Sequence, residues 1–334
     1  MSATVECVTG PAAHDGGETV TRHRRTTVAV VSTLVGASAI VVFSIMVLGV
    51  GGDTNAGFGG VMAGLGGPTG GVGGGAVGGP APIGDPMSGG CDPELVGDED
   101  GPVTSVYTIE DGRLAGLCWG VPDETVTGAF AVLAVVAPPG GLADVSFVAG
   151  FDGGGDTVAF VVPVDDAYSG FVMAFDTVAA DADPAELRLT VVHEYAHVFT
   201  QRVDQLDVTV DRSSCPTFWN GAGCVVAGSY LDTWINEFWS EEELRSLPVD
   251  GSIDEEGGYE RCLVDPGFLG AYAASHPEED FAEAYSAFVF ALDVPPGVES
   301  RMRFFEAIPE FVDVRNRVAA AGFPPVRNLF DVCG

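Results

Sequence analysis

The sequence predicts an α+β domain over residues 91–334, strand-rich at its N-terminal end and helical towards its C-terminus. Two observations carry this. Short β-branched and aromatic runs with turn residues between them fill residues 103–180. Helix-start signals and helical spacing dominate from residue 183 onward. Strands first and helices after is the order expected of a helix layer packed on a twisted sheet. With 46% apolar and 19% charged residues in a chain of 334, a sizeable core is within reach.

What precedes residue 91 has a different character. Residues 1–27 are polar and end in Arg22-His23-Arg24-Arg25, which reads as a cytoplasmic tail. Residues 28–50 carry no charge, and their only polar side chains are Ser32, Thr33, Ser38 and Ser44. As a helix that run is about 34 Å long, enough for a hydrocarbon core of roughly 30 Å. The arginines before it orient the N-terminus to the cytoplasm and the rest of the chain outward. The run exceeds the roughly 7–15 residues of a signal-peptide core, so a transmembrane anchor is preferred; cleavage would instead give a secreted protein. Residues 51–90 hold 18 glycines among 40, with Pro68, Pro80, Pro82 and Pro86, and read as a disordered, flexible linker.

Cysteine usage agrees with export. Cys7 precedes the apolar run, and six cysteines follow it: Cys91, Cys118, Cys215, Cys224, Cys262 and Cys333. An even number in an exported domain points to disulfides. Proximity favours Cys91–Cys118 and Cys215–Cys224, leaving Cys262–Cys333. Charge is lopsided, 48 acidic against 14 basic residues, all 14 of them arginine. A surface at net −34 repels phosphate backbones, which sets nucleic acid aside as a partner.

Within the domain, strands are expected at 103–109, 127–136, 145–148, 157–162 and 170–175. The segment Asp152-Gly-Gly-Gly-Asp156 reads as a hairpin turn. Asp183-Pro184-Ala185-Glu186 offers an N-cap, a proline at the first helical position and a capping-box glutamate, opening a helix to about Arg202.

That helix carries His193-Glu194-Tyr195-Ala196-His197. Residues four apart share a helix face, so His193 and His197 can offer imidazole nitrogens to one Zn2+. Glu194 beside them suits a general base that takes a proton from a zinc-activated water. A catalytic zinc needs a third protein ligand. Glycine at 200 and histidine at 203 would mark the metzincins, but these positions are Thr200 and Val203, so that class is excluded. Three other candidates remain. Glu279 shares a helix face with Glu283 in a segment whose Ser275 and Glu278 read as a capping box; one glutamate would ligate while the other orients a histidine. Glu237 lies in Asn236-Glu237-Phe238-Trp239-Ser240-Glu241, similar to a thermolysin-type string, though the stretch also reads as an amphipathic helix burying Leu231, Trp234 and Phe238. His276 is the third.

The spacing of Tyr272, Glu279, Phe281, Ala282, Glu283, Ala284 and Tyr285 after the HExxH helix resembles the anthrax lethal factor-like branch of the gluzincin metallopeptidases. The resemblance spans roughly residues 183–320, with Ala307-Ile308-Pro309-Glu310-Phe311 similar to the family's terminal helix. It implies a zincin-like fold, Glu279 as third zinc ligand, Glu283 as its supporting partner and Tyr272 as a hydrogen-bond donor to the transition state. It also implies peptide-bond hydrolysis, hence a peptide or protein substrate. Residues 91–180 and the cysteine-bearing insert 207–265 depart from it. The loop between Cys215 and Cys224, with Phe218 and Trp219, reads either as a groove wall or as a stapled surface loop. The same site residues would also serve a hydrolase of cell-wall amides, or a non-catalytic cell-surface binding module holding a structural zinc.

Overall fold

The structure is a computed structural model that describes residues 91–96, 101–154, 157–326 and 330. The expected anchor 28–50, the linker 51–90 and Cys333 lie outside them. Among the described residues no helix is long and apolar enough to cross a membrane.

After a 3-10 turn at Pro93–Leu95 come β1 (Val103–Glu110) and β2 (Arg113–Gly120), then α1 (Glu124–Val136), β3 (Val145–Phe151), β4 (Ala159–Pro163) and β5 (Phe171–Asp176). Helices α2 (Thr177–Ala182) and α3 (Pro184–Thr200) follow, then the two-residue strands β6 (Leu206–Asp207) and β7 (Cys224–Val225). The remainder is helical: α4 (Tyr230–Phe238), α5 (Glu241–Ser246), α6 (Glu255–Val264), α7 (Pro277–Val289), α8 (Glu299–Glu306) and α9 (Pro309–Ala321). The α+β class holds. The five-stranded sheet has the order β2-β1-β3-β5-β4, with β3 and β5 parallel and the other neighbours antiparallel.

Three expectations are corrected. Residues 127–136 form α1, not a strand. Asp123 caps it, its side chain accepting from the amides of Thr125 and Val126. Its buried residues Val126, Ala129, Leu133 and Val136 recur at helical spacing, so burial along one face overrides the β-branched composition. No hairpin pairs β3 with β4 across the expected turn at 152–156, because β5 lies between the two strands in the sheet. The N-terminal hairpin sits instead at Asp111-Gly112, both at positive φ (50° and 69°), where the Glu110↔Arg113 pair closes a two-residue turn into the unforeseen β2.

Both faces of the central strands are covered. On β5, Phe171, Met173 and Phe175 face the main helical core, while Val172 and Ala174 face a smaller cluster with Cys91 and Val96. A disulfide joins Cys91 to Cys118, tying the segment before β1 to β2. The expected bridge Cys215–Cys224 is also formed, and Cys262 is disulfide-bonded.

Helix α3 starts as expected, Asp183 accepting from the amides of Ala185 and Glu186 with Pro184 at its first position. From Leu189 to Thr200 every residue is buried, because α3 lies between the sheet and α7. Phe199 of α3 packs against Tyr285 of α7 with ring centroids 5.2 Å apart, and Phe281 against Phe305 of α8 at the same distance. Arg317 of α9 donates to the carbonyls of Val135 and Val136, closing the C-terminus of α1.

The start of α7 is pinned by a buried polar network. Asp280 accepts from the indole nitrogens of Trp234 (2.9 Å) and Trp239 (3.0 Å) and from Arg301 Nε (2.8 Å). Arg301 in turn lies over the ring of Phe268, 4.5 Å from its centroid. Removing one member of such a buried pair strands the other charge. Asp280→Ala is therefore expected to cost about 3–5 kcal/mol of folding stability in chemical denaturation. A loss under about 1 kcal/mol would show the pair to be worth no more than a surface contact.

Candidate metal centre

Three atoms converge where α3 and α7 meet. His193 Nε2 lies 3.0 Å from His197 Nε2 and 3.0 Å from Glu279 Oε2, and His197 Nε2 lies 3.6 Å from the same oxygen. The four-residue spacing stacks the imidazoles on one face of α3, ring centroids 4.9 Å apart. Glu279 arrives on the first turn of α7, where the helix dipole favours an anion. All three side chains are buried. Among the described residues this is the group of His, Cys, Asp and Glu side chains whose ligating atoms converge.

The donor set fits a small, borderline-soft dication. Nitrogen and oxygen ligands at about 2.0–2.1 Å from a tetrahedral zinc stand about 3.3 Å apart, and the separations here bracket that value. The same three side chains hydrogen-bond one another. Burial opposes charge on Glu279, but the charges of His197 and His193 and their hydrogen bonds hold its carboxyl well below the usual range. For His193 burial acts downward, and the hydrogen bond to Glu279 with the facing carboxylate of Glu283 outweighs it, lifting the imidazole to about 10.

Glu194 is fully buried, and among the described residues neither of its carboxylate oxygens has a hydrogen-bond partner. Burial pushes it up to about 8, with His193 pulling down and Glu279 pushing up. A dication beside it reverses that logic and favours the ionised form. A buried carboxylate without a hydrogen-bond donor costs folding free energy. Glu283 Oε1 stands 3.4 Å from His193 Nδ1, on the far side of the ring from the cluster. Tyr272 lies beside His193, ring centroids 6.1 Å apart. Burial, then the negative charges of Glu279 and Glu194, raises its phenol well above the usual value, so it stays a proton donor.

The remaining candidates fall elsewhere. Glu237 is exposed on α4, whose Leu231 and Trp234 are buried with Phe238 half-buried. His276 is buried just before α7, beside Phe218 (5.6 Å) and 3.7 Å from Glu278 Oε2, and its nitrogens do not join the cluster. The capping box expected of Ser275 and Glu278 is absent. His276 takes the cap position without a side-chain bond, Ser275 bonds the carbonyl of Tyr272, and Glu278 turns inward to Asn220. Asn220, Asp280 and Arg301 were not foreseen. Glu278, Glu279 and Asp280 are three consecutive acids heading an apolar helix, and that run was the one visible signal of buried carboxylates here.

No family model matches the chain, and no curated protein matches it in sequence. Among solved structures, a protein of Bacteroides caccae provisionally described as a zinc-binding metallo-peptidase superposes with a TM-score of 0.31 and 15% identity. That likeness covers 64% of this chain and 82% of the other. So loose a superposition carries no chemistry across, and the reading of the site rests on its own geometry.

Zinc titration tests the ligand set directly. Glu279→Ala is expected to weaken binding by more than about 100-fold, and Glu283→Ala by about 10–100-fold, the range for residues that orient a ligating histidine. Unchanged affinity in Glu279→Ala, with a loss in Glu237→Ala or His276→Ala, would place the third ligand elsewhere.

Proposed function

We propose that this chain is a zinc-dependent metallopeptidase that hydrolyses peptide bonds, with His193, His197 and Glu279 holding the metal. The observation that carries the reading is the pairing of a three-donor cluster with a buried, unpartnered carboxylate, Glu194, on the residue next to one donor. Among the described residues three protein donors converge, the number that catalytic zinc sites use beside an open position, whereas a structural site is closed by four. This favours an enzyme over a binding module with a structural zinc. When bound, zinc supplies Lewis acidity that makes a water acidic and a carbonyl electrophilic.

The chain's own residues do the rest. Glu194 takes the proton of the attacking water and, as the amide nitrogen leaves, returns a proton to it. Tyr272 keeps its phenolic proton and donates a hydrogen bond to the developing oxyanion. Glu283, facing Nδ1 of His193, fixes the ring so that Nε2 points into the cluster. The similarity to lethal factor-like gluzincins in the Tyr272–Tyr285 segment supports these roles. A peptide or protein is the substrate.

The location proposed for this chemistry is outside the cytoplasm, on a membrane tether. The support is the uncharged run 28–50 behind an arginine cluster, the glycine-rich linker and the disulfides, which belong to an oxidising compartment.

Glu194→Gln is expected to bind zinc as wild type does while losing about 10²–10⁴-fold in peptide hydrolysis, the usual worth of a general base. Wild-type turnover in that variant, read on a peptide library, would end the assignment. The full chain is expected to stay with membranes through an alkaline wash and to leave them when residues 1–50 are deleted. Release of the intact chain by the wash would rule out the anchor.

A further inference from the structure

The loop closed by the Cys215–Cys224 disulfide is not a free surface feature. Its central residue, Asn220, is completely buried, and its Nδ2 donates to Glu278 Oε1 at 2.7 Å, across 58 residues of sequence. Glu278 precedes the cluster carboxylate Glu279 on the first turn of α7 and is itself buried. Its other oxygen has no hydrogen-bond partner among the described residues, with His276 Nδ1 standing off at 3.7 Å, so Asn220 supplies the hydrogen bond seen at this carboxylate. Phe218, two residues earlier in the loop, packs against His276, the residue that caps α7.

The loop is built to hold Asn220 still. Asn220 Oδ1 accepts from the amides of Ala222 (3.0 Å) and Gly223 (2.8 Å), and the Asn220 amide donates to the Gly223 carbonyl. From outside, the turn at residues 250–251 presses on it. Gly221 has φ +100°, and a Cβ there would stand 2.7 Å from the Asp250 carbonyl oxygen; a Cβ on Gly251 would collide with the Asn220 carbonyl. The disulfide closes the loop at its base, where Cys224 pairs in β7 with β6 and bridges to Trp219.

We propose that Asn220 is a positioning residue of the metal centre, and that the disulfide-closed loop 215–224 fixes the first turn of α7 through it, setting the reach of Glu279 towards His193 and His197. Asp280 holds the same turn from the other side through Trp234, Trp239 and Arg301. Loss of the Asn220 bond frees one side of this clamp, leaves Glu278 buried without a donor, and lets Glu279 drift from the histidines. This rests on the reading that His193, His197 and Glu279 hold a metal ion.

The test is zinc affinity of the purified full-length chain in detergent, measured by competition with a chromophoric chelator. Melting of the metal-free protein is followed in parallel. Asn220→Ala, which changes no charge, is expected to weaken zinc binding about 10–100-fold, as removal of supporting partners does elsewhere. In a Glu278→Ala background the same substitution is expected to change affinity less than twofold, because its effect runs through that carboxylate. A general loosening of the fold would instead add in both backgrounds. Cys215→Ser with Cys224→Ser leaves Asn220 in place and is expected to weaken binding in the same direction; it decides the matter if Asn220→Ala loses its cooperative melt. Wild-type zinc affinity in Asn220→Ala and in the serine pair, or full additivity with Glu278→Ala, overturns the proposal. If wild type binds zinc no better than His193→Ala, the metal reading itself falls and the proposal with it.

Discussion

The carboxylate of Glu279, buried between two imidazoles, is the constraint around which this domain is arranged. It brings the first turn of one helix against the middle of another, out of reach of water, at a contact that a dication can satisfy. Such a contact needs both helices held firmly, since a charge left unmatched in the interior costs several kcal/mol. The surrounding architecture supplies that hold. Helix α3 is buried on all sides from Leu189 to Thr200, between sheet and α7, and an aromatic cluster joining α3, α7, α8 and α9 fixes their crossing.

Three successive acids at the head of α7 are buried, and each is committed to a different partner. Glu278 meets the disulfide loop through Asn220, Glu279 meets the histidines, and Asp280 meets two tryptophans and an arginine. The helix N-terminus offsets part of the cost of gathering negative charge in one turn. Each flanking acid draws its hydrogen bonds from a segment inserted between α3 and α7 or lying beyond α7. Residues far from the histidines in sequence thereby bond the same turn of α7 that carries Glu279. The insert 207–265, which departs from the lethal factor-like pattern, reaches the first turn of α7, where Asn220 of its loop 215–224 donates to Glu278 and Phe218 packs against His276.

Some of this was legible before any coordinates. The HExxH spacing puts two imidazoles on one face wherever that stretch is helical, because helix geometry is local. The cap at Asp183, two disulfide pairs and the placement of four of the five sheet strands also follow from short-range chemistry and proximity. Residues 127–136 misled for the converse reason. Their β-branched composition is a weak preference, and the core stripe Val126, Ala129, Leu133, Val136 became decisive only against a partner surface. The glycine segment after β3 likewise resembled a hairpin until strand order placed β5 between its neighbours.

The sequence by itself determined the chemical inventory: two histidines and a glutamate on one helix, a second run of acids downstream, and cysteines suited to an oxidising milieu. It left Glu279, Glu237 and His276 in competition as third donor, since local spacing does not say which distant turn will face α3. The tertiary structure brings the Glu279 carboxylate to the two imidazoles, while Glu237 is exposed on α4 and His276 lies against Phe218 and Glu278. It also brought in Asn220, Asp280 and Arg301, whose roles exist only where long-range packing places a donor against a buried carboxylate. Donor identity is a property of residues; convergence is a property of the fold.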